Sequence, residues 1–493
     1  MNIKRLESRA QSISTQSWFN YLLLILITGL GAGFRFFKLG QWSFWIDEIF
    51  TINHALRHYG NLQLALENIP PATNWVPTSV ILTAQALNLF AVSEWSARLA
   101  SAVIGTLSIP VLYFPLKKIF GNQVTLIALL LLAVSPWHIE WSQTARFYTG
   151  LMLFYTLALI FYFYGLERDR PLYILIFMFL FYLATSERLF AVFLVPVVLG
   201  YLLLLKILPF ERPPGFRARN LLLTLLPIAA AVSIEVLSLI KDGTSRFLGG
   251  FDWFFLYRLD DPFRLLSFIG FEVGVPLMCF SIFCGIYLVY KRSRAGLLLI
   301  VSAVVPIVLL LALNPFIFTK TRYIFMTLPS WIILGAVGIR EILNETKSHG
   351  KILAVGLLFV FLADAAGSDL LYYQVNNGNR LDWKGAFSLV REQSQAGDEL
   401  VTWFPEWEGY YWDQEILLWQ DLDPEFVVSS GKRFWFILDD ETQWGNTRMK
   451  SWMEENAELI KVLYLRREND TYLKIYLYDP VSQIHTNGPP QES

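Results

Sequence analysis

Long runs of apolar residues, separated by short polar loops, occupy the chain from its N-terminal region to about residue 370. A helix crosses a bilayer with about 17–25 consecutive, mostly apolar residues. Runs of about this length predict eleven spanning helices. They lie near 19–37, 98–116, 122–137, 147–165, 171–186, 189–205, 220–240, 265–290, 295–313, 323–339 and 351–370.

A twelfth apolar run, 76–92, is weaker because it follows three prolines and contains several polar residues. Short cytoplasmic loops of membrane proteins are enriched in Lys and Arg. If 76–92 lies in the interface without crossing, one set of short loops collects 14 basic residues, whereas the opposing set contains Arg146, Arg188, Lys320 and Arg322. We therefore predict eleven spans, an uncleaved first span, a cytoplasmic N-terminus and an extracytoplasmic C-terminus.

Beyond residue 370 the pattern changes to short runs rich in Val, Ile, Tyr and Phe, which are typical of strands. Four strands are predicted at Leu400–Phe404, Phe434–Leu438, Leu459–Leu465 and Thr471–Tyr478, with helices at Trp383–Arg391 and Arg448–Glu455. The predicted fold is an α-helical polytopic membrane domain, residues 1–370, followed by a small extracytoplasmic α/β domain, residues 371–493.

Composition agrees with this division. The chain is 55% hydrophobic and 16% charged, against about 25% charged residues in soluble domains. From 371 to 493 there are 11 Lys and Arg against 21 Asp and Glu, so the soluble part is acidic, which argues against binding to nucleic acid. Cys279 and Cys284 both lie in one apolar run and predict no disulfide framework.

Two adjacent acids, Asp47 and Glu48, follow the first predicted span. Acids are costly in hydrocarbon and indicate function when they stand at the mouth of a membrane helix. On the extracytoplasmic side there is little nucleotide sugar, so an activated sugar must arrive through the membrane, as a polyprenyl-phosphate sugar does. Its direct transfer needs one carboxylate to take the proton of the acceptor and cations to stabilise the departing phosphate. A single base without a covalent nucleophile predicts inversion at the sugar.

Several segments resemble, in order, the GT-C class of glycosyltransferases that use lipid-linked sugars, near the protein O-mannosyltransferases and the bacterial aminoarabinose transferases. The segments are Trp45-Ile46-Asp47-Glu48, Glu94 to Ala102, Trp141 to Tyr148, Thr321-Arg322-Tyr323 and Asp382-Trp383-Lys384. The resemblance implies a catalytic role for Asp47, with Glu48 as its companion, and helices along the membrane in the first loop. It also implies an integral protein of a bacterial plasma membrane that takes a polyprenyl-phosphate-linked sugar to an unidentified acceptor.

Further residues at the same boundary are candidates for the site. We expect Arg98, Arg146, Lys320 and Arg322 to bind the donor phosphate, although arginines at helix ends also extend to lipid headgroups without binding a substrate. A pocket for the acceptor or the sugar is expected from His54, His138, Glu140, Tyr148, Glu187 and Arg188. Asp47 and Glu187 also have structural alternatives. Asp47 could be a helix N-cap, and Glu187 could form a local ion pair with Arg188.

We expect no metal. His54 and His58 have helical spacing but lack further ligands at a convincing position, although Glu140 could supply a second carboxylate beside Asp47. Two other functions compete with the transferase. A transporter or flippase of lipid-linked glycans would place acids inside the spans and show repeated halves, and a non-catalytic membrane scaffold would not need the Asp47 carboxylate.

Overall fold

The computed structural model describes residues 3–60, 77–226, 228–229, 262–315, 319–345, 348–440, 445–466 and 470–481. Most of the described residues are helical. The helices are α1 Ile3–Phe36, α2 Ile46–Tyr59, α3 Thr78–Phe90, α4 Glu94–Ala133, α5 Pro136–Ser142, α6 Tyr148–Arg168, α7 Pro171–Glu187, α8 Leu194–Ile207, α9 Pro262–Val273, α10 Val275–Tyr290, α11 Arg294–Leu313, α12 Leu328–Glu345, α13 Ser348–Leu370, α14 Trp383–Gln393, α15 Pro424–Ser430 and α16 Thr447–Asn456.

Among these described helices, seven are long and apolar enough to cross a bilayer, and the pair α9–α10, bent by 95°, would be an eighth. The chain is therefore an integral membrane protein, as its composition predicts. The predicted single span 265–290 is broken in the structure, because Gly274 interrupts it with a φ of 93°. Most of the predicted span 220–240 lies outside the described residues, so the total of eleven crossings stays a prediction.

Helix α4 contains the predicted span 98–116 and most of the span 122–137, joined by a sharp reversal at Gly121. Its φ of 79° lies in the left-handed region that glycine adopts without steric cost. The reversal returns the chain along itself, so that Ser108 Oγ lies 3.5 Å from His138 Nε2 although 30 residues separate them. Helix α3 has 13 residues and spans about 20 Å. It is shorter than a bilayer core, in agreement with the interfacial placement expected for 76–92.

The bundle has two chemically different ends. At one end Arg294 pairs with Glu167 at 2.6 Å and Arg219 with Asp169 at 3.2 Å, both among the basic loops that the charge pattern assigns to the cytoplasm. At the other end lie α2, α5 and the acids of the first loop. The basic loops and the two acids therefore lie at opposite ends of the bundle, as the charge pattern predicts. Which end faces the cytoplasm remains a prediction.

The C-terminal α/β unit is a five-stranded mixed sheet with the order β2-β1-β3-β5-β4. The strands are β1 Glu399–Thr402, β2 Ile416–Leu418, β3 Phe434–Asp439, β4 Glu458–Arg466 and β5 Asp470–Tyr478. Strand β1 pairs in parallel with β2 and β3, and β5 pairs antiparallel with β3 and β4. All four predicted strands and both predicted helices are confirmed, whereas β2 and α15 are additions, because three and seven residues are too few for a clear sequence pattern.

An apolar cluster joins the C-terminal unit to the first loop of the membrane part. Phe44, Ile49 and Ile52 pack in one buried cluster with Trp383 and Trp407. Polar contacts surround it, since Tyr411 Oη accepts the Phe44 N–H at 2.6 Å and donates to the Glu94 carboxylate at 3.0 Å. The sheet therefore fixes the loop that carries the two acids.

We expect Tyr411→Phe to loosen this junction, because it leaves the Phe44 N–H and the Glu94 carboxylate without their shared partner. The loss of a buried hydrogen bond costs about 1–2 kcal/mol. Hydrogen–deuterium exchange should become faster in 43–52, with little change in β3. Tyr464→Phe is the matched control because Tyr464 is exposed, and equal exchange in both variants would contradict the proposed junction.

Candidate active site

The two adjacent acids lie in the first turn of α2 and point in different directions. The Glu48 carboxylate turns back to accept the Trp45 N–H at 3.0 Å, and so it satisfies one free donor at the start of the helix. Asp47 is therefore not the N-cap, which corrects that alternative. Successive helical residues point about 100° apart. The two acids accordingly have different partners: Glu48 contacts Arg98, while Asp47 contacts Arg146 and Arg322.

Glu48 is completely buried at the centre of a polar cluster. Arg98 binds it through two parallel hydrogen bonds of 2.9 Å, the Ala145 N–H donates at 2.8 Å, and Arg380 Nη1 lies 3.3 Å from Oε2. Burial alone would raise the pKa of Glu48, but the charges of Arg380 and Arg98 and these hydrogen bonds outweigh it and lower the pKa to about 2. Glu48 is thus an anchor that is ionised at neutral pH, and its burial closes it to substrate.

Arg98 does not have the role expected for it. Its Nε and Nη2 bind Glu48, its Nη1 donates to the carbonyl oxygens of Leu39 and Trp42, and its Nη2 also donates to the Ser43 carbonyl. These contacts use all five N–H donors of a guanidinium group. Because Arg98 is also fully buried, the prediction that it binds a donor phosphate is wrong.

Asp47 remains accessible, with a quarter of its side chain exposed. Its Oδ2 lies 3.7 Å from Arg146 Nη2 and 3.7 Å from Arg322 Nη2. The two guanidinium groups are fixed by other contacts. Arg146 Nη1 donates to the Asp47 carbonyl and to Thr51 Oγ1 at 2.8 Å each, and Arg322 lies over the Trp45 ring at 4.7 Å. The structure thus brings together a partly exposed carboxylate and two of the predicted phosphate-binding residues.

Arg188 contributes a further cation to this cluster. It lies over the Phe147 ring at 5.3 Å, and Arg146 lies over the same ring at 4.8 Å. The expected ion pair with Glu187 is absent among the described ion pairs. Glu187 is buried and accepts the Ser79 N–H at 3.1 Å, which ties α7 to the start of α3. The alternative of a local pair is therefore wrong, and Arg188 is exposed beside the Asp47 cluster.

Three further residues predicted to line a pocket are buried and contact other parts of the protein. His138 is buried against the Arg35 guanidinium, and burial together with the charge of Arg35 holds the pKa of His138 well below its usual range. The ring is therefore neutral and structural. Glu140 is buried and accepts from Asn379 Nδ2 at 2.9 Å, and Tyr148 is buried against Trp141 with ring centroids 4.2 Å apart.

Two predicted residues lie nearer the surface. His54 is exposed on α2, where its ring centroid is 4.7 Å from that of His58. Lys320 is half-buried two residues before Arg322, directly before the 3₁₀ turn Thr321–Thr327.

Arg380 and Trp45 are functional candidates that sequence reasoning missed. Arg380 is buried and donates to Thr144 Oγ1 at 2.6 Å in addition to its pairing with Glu48. It stands just before the Asp382-Trp383-Lys384 segment, but no spacing rule connects it to an acid more than 300 residues away. For Trp45 the available signal was its place in the quoted Trp-Ile-Asp-Glu run.

Within the described part of the chain, no group of three or more His, Cys, Asp or Glu side chains is arranged to hold a metal ion. The surroundings of Asp47 explain this locally. Its ionic neighbours are guanidinium groups, which favour an anionic ligand, whereas a hard divalent cation prefers several oxygen ligands.

Known proteins resemble this chain in sequence over part of its length and in fold. The family model described as dolichyl-phosphate-mannose-protein mannosyltransferase matches residues 70–233. No curated protein matches the chain significantly in sequence. The resemblance to GT-C glycosyltransferases that was recognised in the sequence motifs is confirmed by this match together with the structural comparisons.

Among solved structures, the chain is similar to ArnT from Cupriavidus metallidurans bound to undecaprenyl phosphate. The TM-score is 0.56 and the identity 13%, over 92% of this chain and 97% of that one. The oligosaccharyltransferase of Archaeoglobus fulgidus in its apo form gives a TM-score of 0.53 and 12% identity, over 86% of this chain and 70% of that one. These likenesses show that the chain has the GT-C fold, helical in the membrane with a small sheet domain at its C-terminal end.

We expect Glu48→Gln to destabilise the protein, because the neutral amide leaves Arg98 and Arg380 buried without a counter-charge. Breaking a buried ion pair from one side costs about 3–5 kcal/mol. Asp47→Asn is the matched control, since it is partly exposed and anchors neither of these arginines. Thermal unfolding in detergent should show a clearly lower Tm for Glu48→Gln and a Tm near wild type for Asp47→Asn.

The same pair of proteins tests the charge of Glu48 through pH. Because its pKa in the folded protein is about 2, below the ordinary 4.5, its contribution is complete above about pH 4.5 and is lost as the pH falls towards 2. The Tm difference between wild type and Glu48→Gln should therefore shrink on acidification through this window. A difference that is constant down to pH 2.5 would contradict the ionised anchor.

Proposed function

We propose that the chain is an inverting glycosyltransferase that moves a monosaccharide from a polyprenyl-phosphate carrier to an acceptor at the outer face of the membrane. The observation that carries this proposal is the exposed Asp47 carboxylate, which lies 3.7 Å from each of two guanidinium groups while its neighbour Glu48 is buried. The family model, described by its lipid-phosphate sugar donor, and the similarity to a structure with bound undecaprenyl phosphate support the choice of donor.

In the proposed reaction Asp47 is the general base. The acceptor oxygen or nitrogen attacks the anomeric carbon, its proton passes to the Asp47 carboxylate, and the bond between this carbon and the phosphate oxygen breaks. The electron pair of that bond stays on the lipid phosphate. A single displacement of this kind inverts the configuration, and it requires only one carboxylate at the reacting centre.

Arg146, Arg188 and Arg322 would stabilise the charge that develops on the leaving phosphate. They are suited to this role because aromatic rings or backbone groups already hold them, so that little ordering is needed when the phosphate binds. At 3.7 Å the contacts of Arg146 and Arg322 with Asp47 are longer than a close charge-assisted hydrogen bond. Lys320, two residues before Arg322, is proposed as a further contact of the phosphate.

Transfer by this route needs no cofactor beyond the side chains around Asp47. We assign Glu48, Arg98 and Arg380 as positioning residues, since they fix the first turn of α2 without reaching the surface. The C-terminal unit, residues 371–493, would act through Arg380 and the Tyr411 junction as a support for the first loop. The site would face the exterior of a bacterial plasma membrane.

Asp47→Asn tests the base directly, because it preserves shape and removes the proton acceptor. Loss of a general base typically lowers the rate by about 10²–10⁴-fold. Cells that lack the chain, complemented with wild type, Asp47→Asn or the control Asp413→Asn, should be compared by mass spectrometry of their glycans and lipids. The modification should return with wild type and Asp413→Asn only. Its full return with Asp47→Asn, at equal protein levels, would exclude Asp47 as the base.

Arg188→Gln tests the phosphate contacts. Each charge-assisted hydrogen bond contributes about 1.5–3 kcal/mol, so binding of undecaprenyl phosphate to the purified protein should weaken by about tenfold or more. Arg57→Gln, in the last turn of α2, removes an exposed charge about 15 Å along the helix from Asp47 and serves as control. Equal affinities in both variants would remove Arg188 from the donor site.

A further inference from the structure

A polar cavity lies at the end of the bundle opposite Asp47. It has a volume of about 450 Å³, and its polar lining is Lys118, Glu167, Arg168, Arg292, Ser293 and Arg294. Along α4, Lys118 is 20 residues from Arg98, a rise of about 30 Å. This is the thickness of a bilayer core, so the cavity is separate from the proposed transferase site and belongs to the face assigned to the cytoplasm.

The cavity carries an excess of positive charge. Arg294 is neutralised by Glu167 through two hydrogen bonds of 2.6 and 2.7 Å, and its Nη1 donates to the Glu211 carbonyl. Lys118, Arg168 and Arg292 are exposed and form no ion pair with a described residue. Arg168 is oriented by the Tyr164 ring, over which it lies at 4.7 Å. Three cations thus surround one cavity.

The backbone conformation at Arg292 is one that residues other than glycine rarely adopt. Helix α10 ends in a Schellman motif, in which the Ser293 N–H donates to the Leu288 carbonyl and the Arg292 N–H to the Val289 carbonyl. Arg292 occupies the left-handed position of this motif with a φ of 56°. Glycine is strongly preferred there, because a side chain adds steric cost. An arginine in this position costs folding energy and places a cation at the cavity.

An apolar crevice continues from the cavity into the bundle. The two share Ile119, Phe163 and Ala295, and the crevice extends between α4, α6 and α11 towards Leu298. Its free volume is about 20 Å³, so an acyl chain would lie along its opening rather than inside it. A cationic cavity next to an apolar surface matches a molecule with a phosphate group and a hydrocarbon chain.

We propose that this cavity binds the phosphate of an anionic phospholipid in the leaflet opposite the transferase site. Basic pockets between transmembrane helices on the cytoplasmic side bind such headgroups. Lys118, Arg168 and Arg292 bind the phosphate oxygens, and the acyl chain follows Ile119 and Phe163. A soluble phosphate ester has the same polar chemistry without the chain, and the experiment below separates the two sources.

Native mass spectrometry of the full-length protein in detergent tests this site. The probes are phosphatidylglycerol, phosphatidylcholine and glycerol 3-phosphate. Wild type should retain phosphatidylglycerol in preference to phosphatidylcholine, and Arg292→Gly should weaken this retention about tenfold, as expected for one charge-assisted contact. Arg292→Gly should fold with a Tm at least equal to wild type, because it removes the steric cost at a φ of 56°. Lys206→Gln, which removes a basic residue of the same face outside the cavity lining, is the matched control.

The outcomes separate the alternatives. Retention that falls in Arg292→Gly and in the double variant Lys118→Gln/Arg168→Gln, but not in Lys206→Gln, supports a lipid site. Binding of glycerol 3-phosphate with the same dependence supports the phosphate site and assigns it to a soluble ester. No preference for the anionic lipid, or an equal loss in Lys206→Gln, would overturn the proposal, because diffuse surface charge would then explain retention.

Discussion

The buried carboxylate of Glu48 is the interaction on which the rest of the site depends. A carboxylate without exposure to water is tolerated only when it is paired and fully hydrogen-bonded. Here one side chain connects the start of α2, the start of α4, the segment before α6 and the chain that enters the C-terminal unit, through Trp45, Arg98, Ala145 and Arg380. Removing the Arg98 or Arg380 side chain leaves the buried Glu48 carboxylate with fewer partners, and removing Glu48 leaves both guanidinium groups without their counter-charge.

This anchor sets the direction of Asp47. Because successive residues of a helix point in different directions, holding Glu48 inwards turns Asp47 outwards to the arginines. The same anchor attaches the C-terminal unit, since Arg380 and Tyr411 reach the first loop from beyond α13. The adjacent acids therefore divide their work: one positions the loop, and the other is available for chemistry.

The helical membrane part, the small sheet domain and the exposed Asp47 could be predicted, because hydrophobic runs, strand-like alternation and an acid at a helix mouth are local signals. Arg98 and Arg188 could not be separated by such signals, since both are arginines near the ends of apolar runs. Whether each side chain is buried or exposed decides between anchoring and binding. This exposure depends on packing from distant segments. Arg380 was missed for the same reason: its partner is more than 300 residues away.

The most direct test of the central claim is an experimental structure of the protein with undecaprenyl phosphate bound. The account predicts that Glu48 stays buried on Arg98 and Arg380, and that the phosphate lies within hydrogen-bond distance of Arg146, Arg188 or Arg322, next to the Asp47 carboxylate. A phosphate bound away from these arginines, with Asp47 turned into the protein interior, would contradict it.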